Sequence, residues 1–413
     1  MKRRLRTVLV LLLTPAAVCQ AQDTARMEQV VQSFVTSKTF SGSILVARGD
    51  QVIYERGSGR YSVASLTKQF TAAAILLLEE RGRLRIDDLV KTHLPNTPAA
   101  WEGMTIFHLL THTAGFAGLQ TPPGARGTPI QGEPTASGYI ARLEERPLLT
   151  PPGETFSYTN TGYFILGHLI ERLSGQSYER FITENILAPL SLKDTGPDPA
   201  AAAAMSPNAI AVTPNAAAGF SSTTADLLRW QRALYGGKVV SAASLRKMTT
   251  PFKGDYGLGL YVRTVDGRRI MTHGGGAPAF ANLTWFPDRE ISVVVLGSVP
   301  TVAAPEIAAF LGTLANGGTV TLASERKAIQ LPPDVLARYA GVYELGGPIT
   351  IAVDGTQLAM VSGANKTPLL AESETSFYIS NTNLRVEFIR DATGAVTEMV
   401  LQQGTRQDRA RRR

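Results

Sequence analysis

Ala64-Ser65-Leu66-Thr67-Lys68-Gln69-Phe70-Thr71 opens a run in which Leu66, Phe70, Ala73, Ala74 and Leu77 recur at helical spacing until Gly82 stops it. This predicts a helix over residues 65–81 with its apolar face in a core. A serine at the head of such a helix points its own backbone N–H outward, where the helix dipole favours a developing negative charge. A lysine three positions on lies one turn below on the same face, within reach of the serine hydroxyl. Burial lowers the pKa of such a lysine toward that of a usable base. The pattern S-x-x-K occurs three times, at Ser65–Lys68, Ser244–Lys247 and Ser324–Lys327. Ser244 lies in a short polar segment and Ser324 in a linker, so only the first pair has the setting this chemistry needs. The plainer reading of Ser65 is a helix cap.

Two signals further along the chain favour the chemical reading. Tyr158-Thr159-Asn160 follows the turn Pro151-Pro152-Gly153 and directly precedes a helix over about 161–173. Alone, Asn160 reads as a cap and Tyr158 as a core ring. His273-Gly274-Gly275-Gly276 ends an edge-like strand with no side chains to block a substrate backbone; alone, it reads as a glycine turn. Other chemistries lack their motifs: there is no G-x-S-x-G, no H-E-x-x-H and no Walker loop. His108 and His112 stand one helical turn apart without an acidic third ligand, which favours structural roles over a metal site. Neither a metal nor a cofactor is expected.

With these segments in view, the chain resembles the serine β-lactamase-related hydrolases: class C β-lactamases, D-Ala-D-Ala carboxypeptidases, D-aminopeptidases and family VIII carboxylesterases. The resemblance rests on residues 64–71, Leu110-Thr111-His112-Thr113-Ala114-Gly115, Tyr158-Thr159-Asn160 and His273-Gly274-Gly275. The segment from Phe220 to Trp230 is also similar to a family signature, and the likeness covers about 27–315. It implies an α+β fold, an antiparallel sheet flanked by helices with a helical subdomain. It also implies that Ser65 is the nucleophile, Lys68 the proton acceptor and Tyr158 a second proton shuttle. Asn160 would hold Lys68 and the substrate amide, and Gln120 would match a residue that binds that amide. The strand with His273, Gly274 and Gly275 would bind substrate edge-on, and the N–H groups of Ser65 and Gly276 would form the oxyanion hole. The sequence departs from class C enzymes in carrying His-Gly-Gly where they have Lys-Thr-Gly, which weakens the anchor for a β-lactam carboxylate. Gly57 to Tyr61 is also about a dozen residues shorter than the family's usual segment.

The implied function is acyl transfer through Ser65 on a small-molecule or peptide substrate: β-lactamase-like or D-alanyl-D-alanine carboxypeptidase-like hydrolysis of amide or β-lactam bonds. The alternatives are a family VIII-type esterase, a silent penicillin-binding sensing module and an envelope adhesion protein.

Organisation follows from composition and charge. The chain has 413 residues, 44% of them apolar, and a net charge of +7. Four of those charges sit in the first six residues and a net four in the last eight, which leaves the body at −1. A nucleic-acid footprint is therefore not expected. Met1 to Ala21 reads as a signal peptide, with a basic start, an apolar stretch and small residues before a cut after Ala21. The protein is thus expected to be periplasmic or secreted, without a membrane span, and a monomer. Cys19 is the only cysteine; Val18 before it, where lipoprotein signals carry a small residue, argues against lipidation. The expected units are the hydrolase domain over 22–315, a linker over 316–333, a β domain over 334–405 and a solvated basic tail over 406–413. The β domain shows alternating runs separated by turns, as in a small antiparallel barrel or sandwich. Its opening Tyr339-Ala340-Gly341-Val342-Tyr343 resembles a lipocalin-like unit appended to this family.

Overall fold

The computed structural model describes residues 15–94, 97–117, 140, 143, 147–200, 216–265, 267–276, 280–299, 301, 303–345, 347–362, 365–379, 384–403 and 406–413. Gly42–Arg48 (β1) and Gln51–Arg56 (β2) form a hairpin around Arg48-Gly49-Asp50, where the Gly-Asp pair favours a turn. Two short segments follow, Tyr61–Ser62 (β3) and Gly196–Pro197 (β4), which pair with Phe220–Ser222 (β5) in a small second sheet. Tyr261–Val265 (β6), Arg268–Gly275 (β7), Ala281–Phe286 (β8) and Ile291–Gly297 (β9) complete the main sheet, ordered β2-β1-β9-β8-β7-β6 with antiparallel neighbours throughout. The first and last strands, β1 and β9, thus lie side by side, as the α+β reading requires.

Helices cover both faces of this sheet. Along β1, Ile44 and Val46 pack with Met27, Val30 and Phe34 of α1 (Pro15–Thr36) and with Ile307 and Leu311 of a later helix, Ala303–Ala315. Leu45 and Ala47 face the opposite way, into the core around Leu66 and Phe70. Two covered faces explain why β9 is buried along its whole length and carries the unbroken apolar run Val293-Val294-Val295-Leu296.

The helix predicted over 65–81 forms with a different start. Ala64–Leu66 is a 3₁₀ turn, and α2 proper spans Thr67–Glu80. The Thr67 hydroxyl donates to the Ala64 carbonyl at 2.7 Å and accepts the Phe220 N–H at 3.2 Å, which holds the tight turn against β5. Phe70 stacks on Trp230 of α4 (Thr224–Tyr235) at 4.2 Å. Thr161–Ser174, numbered α3, matches the helix expected after Asn160 and ends at Gly175. The Ala303–Ala315 helix is α5.

The C-terminal unit is a closed antiparallel barrel of eight strands: Gly341–Glu344 (β10), Pro348–Asp354 (β11), Gln357–Ser362 (β12), Asn365–Ala371 (β13), Ser376–Tyr378 (β14), Arg385–Arg390 (β15), Val396–Gln403 (β16) and Arg406–Arg412 (β17). A short helix, α6 (Pro333–Tyr339), packs Leu336 and Tyr339 into its core. The expected solvated tail is corrected here: 406–412 is the strand that closes the barrel, pairing with β16 and β10. Strand alternation puts Ala410 inside and leaves Arg409 outside, 2.9 Å from Glu398 of β16. The linker is also docked: Arg26 of α1 reaches Glu325 at 2.6 Å, and Ile329 bridges Ala371 of β13. Among the described residues no helix is long and apolar enough to cross a membrane.

Candidate active site

Ser65 sits at the only break in a buried stretch. From Val63 to Leu76 every other residue is buried, and Ser65 alone keeps partial exposure. Ala64 before it has φ +44, the left-handed region an L-residue rarely adopts, so the turn presenting Ser65 is strained. The cap reading does not hold. Leu66 occupies the cap position of α2 with no side-chain cap bond, and the Ser65 hydroxyl turns to Lys68 instead.

Lys68 is fully buried, and its Nζ has three partners: Ser65 Oγ at 3.1 Å, Asn160 Oδ1 at 2.8 Å and the Ala217 carbonyl at 2.9 Å. No carboxylate is among its described partners. The amine also lies over the rings of Tyr158 at 5.0 Å and Tyr163 at 5.4 Å. Burial holds it well below the ordinary lysine value. Asn160 stands at the cap position of α3 but makes no cap bond, because its side-chain oxygen is turned to Lys68.

Tyr158 packs on His112, ring centres 4.2 Å apart. Burial pushes its phenol well above the usual tyrosine value, against the opposing pull of a hydrogen bond with Ser65. His112 itself has φ +57 and accepts the Thr159 N–H on Nδ1 at 3.3 Å. Its proton is thus on Nε2, a buried atom with no hydrogen-bond partner among the described residues. Burial, then Lys68 and His273, keep the ring neutral. Sequence reasoning quoted this histidine inside a motif but gave it no place at the site. Its left-handed backbone, beside Gly115 in a turn, is what aims the ring at Tyr158.

The β7 end is not a sheet edge in the simple sense, because β6 covers it as far as the Tyr261–Thr272 pair. Beyond that pair, His273, Gly274 and Gly275 are laddered to β8 alone, so one side of their backbone is free of strand pairing. A Cβ on Gly275 would lie 2.4 Å from the Val63 carbonyl; glycine there lets β7 press against the turn that carries Ser65, and Gly276 follows it. Gly259 does the same on the other side, where a Cβ would meet the Lys68 carbonyl at 2.7 Å. The His273 ring is buried with both nitrogens engaged. Nδ1 is 2.7 Å from the Gly274 carbonyl, which only accepts, so Nδ1 carries the proton and Nε2 accepts from the Tyr256 hydroxyl at 3.0 Å. Burial lowers its pKa to about 3, helped by Lys68. Tyr256, another residue the sequence reading missed, thus braces both His273 and, at 4.6 Å between ring centres, His112.

Gln120 lies outside the described residues. His108 accepts the Thr105 N–H within a capping box, apart from His112, and no cluster of metal-ligating side chains occurs among the described residues. The other two S-x-x-K pairs do not converge: Lys247 pairs with Glu79 at 2.8 Å, and Ser324 is exposed in a 3₁₀ turn.

Comparisons with known proteins bear on the family and the fold. Residues 27–311 match the β-lactamase family, and 325–411 match a domain of unknown function, DUF3471. A curated relative, penicillin-binding protein 4* of Bacillus subtilis, is 25% identical across 90% of this chain and 95% of its own. The octameric penicillin-binding protein homologue from Pyrococcus abyssi superposes with a TM-score of 0.64 at 24% identity, over 94% of this chain and 99% of its own. A D-stereospecific amidohydrolase from Streptomyces superposes at 0.60 with 23% identity, over 72% and 99%.

Proposed function

The chain belongs to the β-lactamase family, and on that premise we propose that it is a serine hydrolase working through an acyl-enzyme on Ser65. The observation that carries the reading is the buried Lys68 amine with its three partners and no carboxylate partner among the described residues. An uncharged amine has two N–H donors and one lone pair. Asn160 Oδ1 and the Ala217 carbonyl take the donors, which leaves the lone pair for the Ser65 hydroxyl. Ser65 gives its proton to Lys68 as Oγ attacks the substrate carbonyl. The resulting ammonium then has three donors for three acceptors, so nothing must move to accommodate it. The oxyanion is received by the N–H groups of Ser65 and Gly276. Tyr158, kept protonated by burial, is a donor rather than a base; it passes a proton to the leaving group and is replenished by Lys68. Water then attacks the acyl carbonyl, Lys68 takes its proton through the same relay, and Lys68 returns a proton to Ser65 Oγ as the acyl bond breaks, which restores the uncharged amine and the hydroxyl.

The substrate carries an amide, ester or β-lactam carbonyl. The uncharged His273, its nitrogens both engaged, offers no cation at the position where class C enzymes carry lysine. This favours amides and esters of D-amino-acid type that lack a free carboxylate, with small esters as the second reading. The basic and apolar start of the chain supports export to the periplasm or the medium. A panel of D-amino-acid amides, D-Ala-D-Ala peptides, nitrocefin and p-nitrophenyl esters tests the assignment. Turnover of the amides or esters, lost in Ser65→Ala, is the expected result. Preference for nitrocefin would overturn the substrate reading, and turnover that survives Ser65→Ala would overturn the mechanism.

A further inference from the structure

Far from Ser65, six segments converge on a cleft of about 560 Å³ between the hydrolase domain and the barrel. Arg268, at the start of β7, and Phe286, at the end of β8, line one side, and Phe310 of α5 lines another. Arg326 of the linker, Arg385 of β15 and Glu372 just after β13 complete the charged lining. Arg268 is at one end of β7 and Gly275 at the other, which separates the cleft from the catalytic serine's neighbourhood by about 23 Å.

The charges in this cleft do not balance. Three guanidinium groups face one carboxylate among the described lining residues. Glu372 is 3.6 Å from Arg385, and Arg268 donates to the Asn316 side-chain oxygen at 3.1 Å. Arg326 lies over the Tyr378 ring at 5.3 Å, and its Nε and Nη1 are buried without a hydrogen-bond partner among the described residues. Leaving charged donors buried and unpaired is among the more expensive arrangements in a protein interior. Each of these free N–H groups can donate to an oxygen of a carboxylate or phosphate, and Arg268 and Arg385 add charged donors in the same cleft. The volume is that of a small-molecule site, and Phe286 and Phe310 supply an apolar wall.

We propose that this cleft binds a small organic oxyanion, a carboxylate or phosphate carried on an apolar body, with Arg326 as its principal ligand. Bound there, the anion bridges the linker, the barrel and the β7–β8 end of the sheet, and so fixes the barrel on the hydrolase domain. The proposal is independent of the chemistry at Ser65.

Isothermal titration of the full chain with phenyl phosphate, benzoate, inorganic phosphate and uncharged benzamide tests it. Phenyl phosphate or benzoate should bind saturably, more tightly than inorganic phosphate and benzamide, and whichever binds tighter identifies the oxyanion. Arg326→Met should weaken that binding about tenfold or more, and Arg268→Met should weaken it in the same direction. Circular dichroism checks that both variants are folded, and the two substitutions keep the test open should one of them fail to fold. Fluorophosphonate labelling of Ser65 should be unaffected by the anion. Absence of saturable binding by either organic anion, benzamide binding as tightly as benzoate, or binding indifferent to both substitutions would overturn the proposal.

Discussion

Both domains gather aromatic rings around a centre, but they do so for opposite ends. In the barrel, Tyr339 stacks on Phe388 at 4.6 Å, and Phe377 and Tyr343 close around them. Among the described residues from 334 onward, Ser376 is the only polar side chain that is buried. In the hydrolase domain the rings of Tyr158, Tyr163, Tyr256, His112 and His273 surround an amine. A buried lysine without a counterion is a stability penalty that packing alone never rewards. The barrel avoids such groups, and the hydrolase domain concentrates them beside one half-buried serine. The difference separates the part of the chain proposed to perform chemistry from the part that packs.

The sharpest way to break this contrast is to remove one buried or half-buried serine from each domain. Ser65→Ala should abolish fluorophosphonate labelling and lower kcat/KM on a small ester by about a thousandfold or more, roughly 4 kcal/mol in barrier. Ser376→Ala removes the hydroxyl that donates to Glu387 at 2.6 Å. It should cost about 1–2 kcal/mol of stability and leave labelling unchanged.

Acid separates the domains next. His273 is neutral in the fold with a pKa of about 3, against about 6.5 unfolded, and His112 is lowered in the same direction. Below the unfolded value the open chain binds protons that the fold refuses. The stability these rings carry is therefore complete above about pH 6.5 and lost as pH falls toward 3. The sequence from 334 to 413 contains no histidine. Urea titrations followed by domain-specific hydrogen exchange should find the hydrolase domain losing up to a few kcal/mol over that range, and the barrel losing none to histidine protonation.

The smallest effect is expected from deleting the barrel. A chain ending after Glu325 keeps the partner of Arg26 and every residue placed around Ser65. Its kcat on a small ester should stay within about tenfold of the full chain, about 1.4 kcal/mol in barrier terms being the limit. A folded truncate that loses a thousandfold would place the barrel within the active site.

How far the sequence disclosed this division depends on the range of the interactions. Local signals were legible: the β1–β2 turn at Gly49-Asp50, the stop at Gly82, the start of α3 after Asn160, and the helix that follows Ser65 all follow from neighbours in the chain. So did the pairing of Ser65 with Lys68, since i and i+3 share a helix face. The convergence of Asn160 on Lys68 was implied only by resemblance, because nothing near position 160 announces a partner 92 residues away. His112 and Tyr256 were missed for the same reason: their role depends on rings brought together by the fold. The closing strand β17 was hidden by its charge. Its arginines read as a solvated tail, and the single inward alanine at 410 is too weak a period to show without its neighbours.

The central claim is that Lys68 is an uncharged base in the resting protein, and the pH dependence of Ser65 labelling tests it most directly. An ordinary lysine is almost entirely protonated near neutral pH, so its free-base fraction rises about tenfold per unit until pH approaches 10. The labelling rate with a fluorophosphonate, measured from about pH 7 to 9 with the modified peptide mapped, should be flat and confined to Ser65. A tenfold rise per unit across that range, or modification at a different residue, would contradict the account.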